Sequence, residues 1–197
     1  MKLLQTKFFE NQLIRKIFFK KLVAKISSIK LLVFDIDGVL TDGKITIEEN
    51  GNISKSFNVK DGLAIKLLLK EGIEVCFLSG SESNSIKLRA KQLGVRKCIT
   101  GAKNKLKELK NLQLEIGYNK DNTAYVGDDL NDLVAKETVS LLMSPNDALT
   151  EMKNNSDLIL FSKGGEGVVS EIARMILIVN GKINYYKKSG WIERNDA

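Results

Sequence analysis

The sequence predicts an α/β fold in which helices cover both faces of a parallel sheet. Short apolar runs alternate along the 197 residues with longer segments of helical spacing, and this alternation is typical of parallel sheets. Acidic or small polar residues directly follow several of these runs, at the strand ends where such sheets bind ligands. No repeat or linker divides the chain, so we expect one domain.

The composition limits the chemistry that the chain can perform. It contains no histidine, which excludes a Ser-His-Asp triad and the usual zinc sites. Acid–base chemistry at neutral pH must therefore come from carboxylates or lysines. Cys76 and Cys98 both lie in apolar, strand-like stretches, so we expect buried free thiols in a reducing compartment.

Residues 1–29 form a basic extension that we expect to be helical. The net charge is +7, much of it near this end, and Ile14, Ile17, Phe18 and Leu22 fall at helical spacing. The segment lacks the apolar core and cleavage site of a signal peptide, and no stretch is apolar enough to span a bilayer. Packing of this helix on the domain is favoured over a role at a membrane surface or on a nucleic acid.

The first predicted strand precedes the acidic pair around which the chain is organised. The apolar residues 31–34 predict a strand buried on both faces, and Asp35 and Asp37 follow it. Side chains two residues apart lie on the same side of a strand, so both carboxylates are expected at one edge of the sheet. Two close carboxylates repel unless a cation or a phosphate-handling reaction needs them. Alternatively, the acids and Gly38 form only a turn after the strand.

A β-hairpin is predicted over residues 44–57. Apolar and polar residues partly alternate on both sides of Asn50-Gly51, a usual sequence for a two-residue hairpin turn. Neither the interval after Gly43 nor the one after Lys105 has room for a cap domain. We therefore expect a small β-hairpin flap instead of a cap, and an open site.

The remaining elements alternate between strand and helix. The tail from residue 181 to 197 is polar and basic, and the domain between the extension and the tail covers residues 30–180. We predict strands over residues 73–78, 97–99, 123–126, 140–143 and 157–161, and helices over residues 63–70, 83–93, 103–116 and from the glycines at 164–167 to about residue 179.

Four groups of polar residues end these strands or begin the next helices. Alone, Ser79 could be a helix cap and Lys105 a solvated lysine. Together, they fit phosphoryl transfer: one carboxylate can attack phosphorus and another can protonate the leaving oxygen and then activate water. A hydroxyl and an ammonium can hold phosphate oxygens, and a further carboxylate can complete a Mg²⁺ site. The groups are Asp35 with Asp37, Ser79-Gly80, Lys105, and the cluster Asp128, Asp129 and Asp132.

In these motifs the chain resembles the haloacid-dehalogenase-type phosphatases, which implies a Rossmann-like sheet. The resemblance covers about residues 30–175. It implies that Asp35 is the nucleophile and Asp37 the general acid/base, and that Asp129 and Asp132 orient the water shell of the metal. Phosphate would bind to Ser79, Gly80 and Lys105, and Mg²⁺ to Asp35, the backbone carbonyl of Asp37 and Asp128. The matching motifs are Asp35-Ile36-Asp37-Gly38-Val39, Ser79, Lys105 and Gly127-Asp128-Asp129-Leu130-Asn131-Asp132, in the family's order.

A narrower resemblance is to the capless 3-deoxy-D-manno-octulosonate 8-phosphate phosphatase group. It implies a Mg²⁺-dependent phosphoric monoester hydrolase that forms an aspartyl-phosphate. The substrate would be an acidic keto-sugar phosphate of lipopolysaccharide synthesis, either the octulosonate 8-phosphate or, alternatively, a nonulosonate 9-phosphate. The motifs are residues 38–43, the hairpin, Lys60-Asp61-Gly62 and Gly164-Gly165-Glu166-Gly167, and the candidate substrate residues are Thr41, Asp61, Gly62 and Arg89.

The chain departs from the group at three positions. Ser81 stands where octulosonate enzymes usually have arginine, and Glu82 lies one place later than the glutamate of nonulosonate relatives. Asn104 replaces the aspartate that commonly precedes the lysine. The choice of substrate therefore stays open, whereas every motif residue of the phosphatase core is present.

The resemblance further implies a cytoplasmic homotetramer with a small-molecule substrate and no nucleic-acid partner. The hairpins would form a barrel, and a neighbour's tail would close the site. Two other classes share parts of the pattern. A catalytically idle assembly subunit would have lost a core residue, and none is lost. A phospho-acceptor signalling domain would place an acidic pair before a lone acceptor Asp, without the late Gly-Asp-Asp motif.

Overall fold

A six-stranded parallel sheet forms the centre of the molecule. The computed structural model describes residues 12–51 and 53–190, with side chains from residue 17 onward. The strand order is β5-β4-β1-β6-β7-β8, and β2 and β3 form a separate antiparallel hairpin. The strands are β1 (Leu31–Phe34), β2 (Thr46–Ile47), β3 (Ile53–Ser54), β4 (Glu74–Leu78), β5 (Lys97–Ile99), β6 (Thr123–Val126), β7 (Leu141–Ser144) and β8 (Leu158–Ile159).

Helices cover both faces of this sheet, which confirms the predicted α/β fold with a hairpin in place of a cap domain. The helices are α1 (Gln12–Ser28), α2 (Val59–Lys70), α3 (Asn84–Leu93), α4 (Lys105–Ile116), α5 (Thr150–Asn155), α6 (Val168–Val179) and α7 (Ile183–Ser189), with 3₁₀ turns at Lys120–Asn122 and Leu130–Ala135.

Alternating side chains of β1 form two separate cores. Leu32 and Phe34 pack among apolar residues of α2, α3 and α6, whereas Leu31 and Val33 pack on the opposite face among those of α4 and α5. All four side chains are fully buried. Burial on both faces explains why this strand is a continuous apolar run, and it fixes the point at which the chain leaves the sheet.

The hairpin is present, but its turn differs from the predicted one. Ile47 pairs with Ile53, so residues 48–52 connect the two strands, and the predicted two-residue turn at Asn50-Gly51 is wrong. The carbonyl of Glu48 accepts the N–H of Gly51, so the chain reverses over residues 48–51. Gly51 leaves this turn with a φ of 83°, which glycine adopts readily.

The last strand is shorter than the predicted residues 157–161. Leu160 still donates its N–H to the carbonyl of Ser144 at 2.9 Å, but Phe161 and Ser162 donate theirs to the carboxylate of Glu171, at 3.0 and 2.8 Å. That carboxylate, on α6, takes the place of a neighbouring strand. The side chain of Phe161 is left 90% exposed.

Both ends of the described chain are helical. Helix α1 packs on the domain through its second half, where Leu22 and Ile26 join the core that includes α6. Residues 1–11 and 191–197, which hold parts of the predicted extension and tail, lie outside the described residues. Among the helices that the structure describes, none is long and apolar enough to cross a membrane.

Candidate active site

The carboxyl ends of the central strands meet at a pocket of about 340 Å³. Strand β1 lies between β4 and β6, and all three are parallel, so residues distant in sequence converge at one edge. The structure brings most of the predicted site residues together here. The lining residues are Asp35, Asp37, Gly43, Ser79, Gly80, Ser81, Lys105, Asp128, Asp129 and Asn131.

Lys105 lies between two buried carboxylates. Its Nζ is 2.9 Å from Asp35 Oδ1 and 2.7 Å from Asp132 Oδ1, and 5% of its side chain is exposed. Burial lowers the pKa of Lys105, but the charges of Asp35 and Asp132 outweigh burial and raise it above its usual value. The ammonium therefore stays charged beside Asp35. Asn104 fixes the start of α4 by accepting the N–H of Lys107 at 3.0 Å.

Asp132 is fully buried and accepts four hydrogen bonds. Oδ1 accepts from Lys105 and from the hydroxyl of Tyr125 at 2.6 Å. Oδ2 accepts from the backbone N–H groups of Asp128 and Asp129 at 3.1 and 3.3 Å. Asp132 thus fixes both Lys105 and the Asp128 loop. The sequence did not single out Tyr125, because an aromatic residue within an apolar strand is typical of a core position.

Asp128 lies against the turn that follows β1. A Cβ at Gly38 would stand 2.0 Å from Asp128 Oδ2, and Gly38 has a φ of 82°. Both constraints favour glycine at this position. Burial, and then the charges of Asp35 and Asp132, raise the pKa of Asp128 to about 7.

Among the described residues, Asp35, Asp128 and Asp132 could together hold a metal ion. One carboxylate oxygen from each lies within 4.8 Å of the others. Burial, and then the charge of Asp132, raise the pKa of Asp35 to about 7, against the opposing effect of Lys105. Such crowded carboxylates are a suitable donor set for a hard divalent cation such as Mg²⁺. Because Asp132 already accepts four hydrogen bonds, Asp35 and Asp128 are better suited to bind the ion directly.

Ser79 and Gly80 begin the loop after β4. The Ser79 side chain is buried, and its Oγ accepts the N–H of Ser81 at 3.0 Å. Backbone hydrogen bonds to Ile99 and Ala102 fix the same loop against the end of β5. Because the oxygen of Ser79 is an acceptor here, its hydroxyl proton can be donated into the pocket.

Asp37 is bound by a lysine that the sequence did not single out. Lys55, the residue after β3, places its Nζ 2.5 and 2.6 Å from the two carboxylate oxygens of Asp37 and 3.3 Å from the hydroxyl of Ser81. Its side chain is only 1% exposed, against 33% for Asp37. The chain has 31 Lys and Arg residues, and nothing in the local pattern distinguishes this one from a solvated lysine.

The glycine-rich loop before α6 supports the turn that carries Asp37. The N–H of Gly165 donates to the carbonyl of Val39, and a Cβ at Gly164 would stand 2.1 Å from the carbonyl oxygen of Gly38. Only a residue without a side chain allows the two loops to approach this closely. The turn after β1 is therefore held between Asp128 and this loop.

Asp129 lies at the rim, where it is exposed and caps the following 3₁₀ turn by accepting the N–H of Leu130 at 2.5 Å. Thr41 is buried and donates its hydroxyl to the carbonyl of Ile36 at 3.3 Å. Its hydroxyl also accepts the N–H of Gly43. The structure thus places Asp129 in the pocket lining and Thr41 inside the adjoining loop.

The other candidate substrate residues do not line this pocket. Asp61 is buried and accepts the N–H of Ser170 in the first turn of α6 at 2.9 Å. Arg89 lies 6.0 Å from the centre of the Phe57 ring, and a Cβ at Gly62 would stand 2.4 Å from its Nη2. In this structure, Asp61 therefore links α2 to α6, and Gly62 makes room for Arg89.

The fold and this edge of the sheet define a haloacid-dehalogenase-type hydrolase. The structure described as a HAD-superfamily (subfamily III A) hydrolase from Legionella pneumophila matches with a TM-score of 0.84 and 34% identity, over 90% of this chain and all of that one. The 3-deoxy-D-manno-octulosonate 8-phosphate phosphatase from Moraxella catarrhalis, in complex with magnesium, phosphate and KDO, matches with a TM-score of 0.82 and 33% identity. That match covers 85% of this chain and 97% of the other.

The sequence comparison narrows the class. The 3-deoxy-D-manno-octulosonate 8-phosphate phosphatase KdsC of Haemophilus influenzae is 37% identical over 162 residues, which are 82% of this chain and 90% of that protein. A comparison with models of known protein families found no match. The identity extends over most of both chains, so this chain belongs to the 3-deoxy-D-manno-octulosonate 8-phosphate phosphatase family. The resemblance predicted from the motifs is confirmed.

Proposed function

We propose that the chain is a Mg²⁺-dependent phosphoric monoester hydrolase that cleaves 3-deoxy-D-manno-octulosonate 8-phosphate. One observation carries the chemistry: a charged ammonium, Lys105 Nζ, lies 2.9 Å from Asp35 Oδ1 at the edge of the pocket. A nucleophile and a cation that can bind the phosphate oxygens are thus adjacent. The substrate is proposed from family membership and from the relatives that bear this name.

Asp35 acts as the nucleophile in this proposal. One of its oxygens attacks phosphorus, the ester bond breaks, and an aspartyl-phosphate forms. Asp37 gives its proton to the leaving oxygen and then accepts a proton from the water that hydrolyses the aspartyl-phosphate. Lys105 and Ser79 donate hydrogen bonds to the phosphate oxygens.

Asp35, Asp128 and the backbone carbonyl of Asp37 would hold Mg²⁺, and Asp129 would orient its water ligands. When bound, the ion supplies positive charge that offsets the repulsion between the carboxylates and the phosphate. The raised pKa values of Asp35 and Asp128 support this assignment, because burial and the neighbouring acids disfavour both negative charges, an effect that a bound cation would offset.

Phosphate release from a panel of monoesters tests the function. We expect the purified protein to hydrolyse 3-deoxy-D-manno-octulosonate 8-phosphate fastest, to stop when EDTA is added, and to recover with Mg²⁺. The panel includes nonulosonate 9-phosphates and simple hexose phosphates as controls. Preference for a 9-phosphate would move the substrate to the nine-carbon keto-sugar acids, and turnover that is insensitive to EDTA would contradict the metal site.

We also propose a homotetramer in which the hairpins meet. The support is apolar exposure on the hairpin: Ile45, Ile47 and Ile53 are 52%, 66% and 50% exposed, and Ile47 and Ile53 are directly paired. A cluster of this kind on so small an element is typical of an interface. Sedimentation should give a mass near four chains, and Ile47→Lys should reduce it.

The division of the chain and its location are proposals as well. Residues 30–180 would form the phosphatase domain, with residues 1–29 as an extension and 181–197 as a tail. A cytoplasmic location, in a route that supplies lipopolysaccharide, fits the free thiols of Cys76 and Cys98. Deletion of residues 1–11 should leave the specific activity unchanged, and fractionation of cells checks the location.

A further inference from the structure

We propose that Lys55 is a positioning residue that holds the carboxyl group of Asp37 in place and ties the hairpin to the rim of the pocket. The inference rests on the proposed function, because the role of Asp37 as general acid/base comes from it. It gives a role to a residue to which the family resemblance assigned none.

The geometry of the pair is specific. A single ammonium contacts both oxygens of Asp37, at 2.5 and 2.6 Å, so the carboxyl group is fixed in rotation as well as in position. Ser81 accepts a third hydrogen bond from Lys55 Nζ at 3.3 Å. The ammonium is thus held by the loops after β1 and β4, both of which line the pocket.

The burial of Lys55 sets it apart from the rest of the hairpin. The strand residues Thr46, Ile47, Ile53 and Ser54 are all exposed, whereas the Lys55 side chain is 1% exposed. An ammonium out of contact with water requires a charged partner. The ion pair is therefore the polar contact that fixes this end of the hairpin, and the hairpin in turn fixes Asp37.

The chemistry explains why the position of Asp37 matters. Phosphoryl transfer forms a bond from an Asp35 oxygen to phosphorus and breaks the bond from phosphorus to the ester oxygen. The proton of the Asp37 carboxyl group moves to that oxygen and leaves a carboxylate, which Lys55 holds. In the second step water attacks phosphorus, its proton returns to Asp37, and the bond to Asp35 breaks. Both steps need the Asp37 oxygen within hydrogen-bond reach.

The test compares Lys55→Met and Lys55→Arg with a matched control on the same hairpin. Lys44→Met removes a lysine whose side chain is 86% exposed and pairs with Asp42, which is itself 46% exposed. The measured quantity is kcat/KM for alkyl phosphates and for aryl phosphates of decreasing leaving-group pKa, ending with 4-nitrophenyl phosphate. The dependence of kcat/KM on the pKa of the leaving group reports the step in which the leaving oxygen is protonated.

We expect Lys55→Met to lower kcat/KM about 10²-fold for alkyl phosphates and less than about tenfold for 4-nitrophenyl phosphate, whose leaving group needs little protonation. Lys55→Arg should recover part of the loss, and Lys44→Met should match the wild type. An equal loss on all esters, or a rise in KM with kcat unchanged, would overturn the inference and make Lys55 a substrate-binding or purely structural residue. Unchanged kinetics would overturn it too.

A second measurement does not depend on turnover. Hydrogen exchange over residues 53–57 should speed up in Lys55→Met and stay unchanged in Lys44→Met, while the sheet keeps its protection. If the wild type hydrolyses no monoester, the proposed function fails, yet faster exchange in Lys55→Met still supports the inference that Lys55 fixes the hairpin to the rim of the pocket. Unchanged exchange in Lys55→Met contradicts that inference, whatever the substrate.

Discussion

The sheet edge and the hairpin hold their functional side chains in different ways. At the edge, Asp35, Lys105 and Asp132 are buried together, and each is fixed by partners that come from the sheet and its helices. The hairpin has strands of two residues, all of them exposed, and it contributes one buried ammonium. The buried ionic groups at the sheet edge thus have many contacts, whereas the hairpin beside them has few.

Substitutions in the two regions should therefore act differently. Changes at the edge alter several contacts at once, because Asp132 alone accepts hydrogen bonds from four donors. On the hairpin, Lys55 makes three such contacts, whereas the exposed strand residues face solvent. We therefore expect large losses of activity at the edge, with losses of stability where a contact to Asp132 or Asp128 is lost, and small effects on the hairpin at positions other than Lys55.

The largest effect is expected for Asp35→Asn. Removal of the nucleophile should lower phosphate release at least about 10⁴-fold. The variant also relieves repulsion with Asp132, so the midpoint of thermal unfolding should stay close to that of the wild type. Phosphate release with Mg²⁺ and circular dichroism check both points, and undiminished turnover would remove Asp35 from the mechanism.

The second-largest effect is expected for Gly38→Ala. The new Cβ would stand 2.0 Å from Asp128 Oδ2 at a φ of 82°, so Asp128 must move. A displacement near 1 Å at a reacting centre can cost roughly 10²-fold in rate, and the strained backbone costs about 1–3 kcal/mol. Steady-state kinetics over a range of Mg²⁺ concentrations should show weaker metal activation, and wild-type activation would contradict the role of Asp128.

Tyr125→Phe removes one of the four donors to Asp132. We expect a fall of about tenfold in kcat, since partners of this kind orient the groups that bind the ion. The free energy of unfolding should fall by about 1 kcal/mol, because three donors remain. Denaturant unfolding and kinetics measure these changes. An unchanged kcat would mean that Lys105 is held adequately without the tyrosine.

The stability of the metal-free protein should depend on pH in a definite direction. The pKa values of Asp35 and Asp128 are raised to about 7, above an unfolded value of about 3.9. Between these values the folded state binds more protons than the unfolded one, so stability falls as pH rises and levels off above the folded pKa.

Thermal unfolding in EDTA from about pH 5 to about pH 8 measures this trend. Mg²⁺ should raise the midpoint more at the higher pH, because its carboxylate ligands must be deprotonated. Asp128→Asn should weaken both the pH dependence of the midpoint in EDTA and the pH dependence of its increase with Mg²⁺. A midpoint that rises with pH in EDTA would contradict the raised pKa values.

The smallest effect is expected for Gly51→Ala. Gly51 has nearly the same φ as Gly38, 83° against 82°, but among the described residues other than its chain neighbours no atom lies within 4 Å of the added Cβ. The substitution should cost only the backbone strain, about 1–2 kcal/mol, and leave kcat unchanged. A loss of activity comparable to that of Gly38→Ala would show that the hairpin tip takes part in the reaction.

Much of the edge could be predicted because its residues follow a topological rule. Asp35 and Ser79 come directly after an apolar strand, Asp128 follows another after one glycine, and parallel strands end at the same edge. Their positions after predicted strands were therefore enough to predict that they lie together. The chemistry of the residue types then suggested a reaction with phosphate.

The rest depends on tertiary contacts that leave no local pattern. Lys55 differs from other lysines only in where the hairpin points, and Tyr125 differs from a core aromatic only in the hydroxyl that meets Asp132. The turn after Ile47 was also predicted incorrectly, because a hydrogen bond from Gly51 to Glu48 reverses the chain earlier than Asn50-Gly51 suggests.

The contact between Gly164 and Gly38 has a consequence for synthesis on the ribosome. The acids after β1 are made early, yet their turn rests on a loop that is made some 125 residues later, near the end of the domain. β1 also needs β4 and β6 as neighbours. A nascent chain that stops before Gly164 therefore exposes its acids on an unsupported turn, and we expect such truncated products to be inactive and to need chaperones.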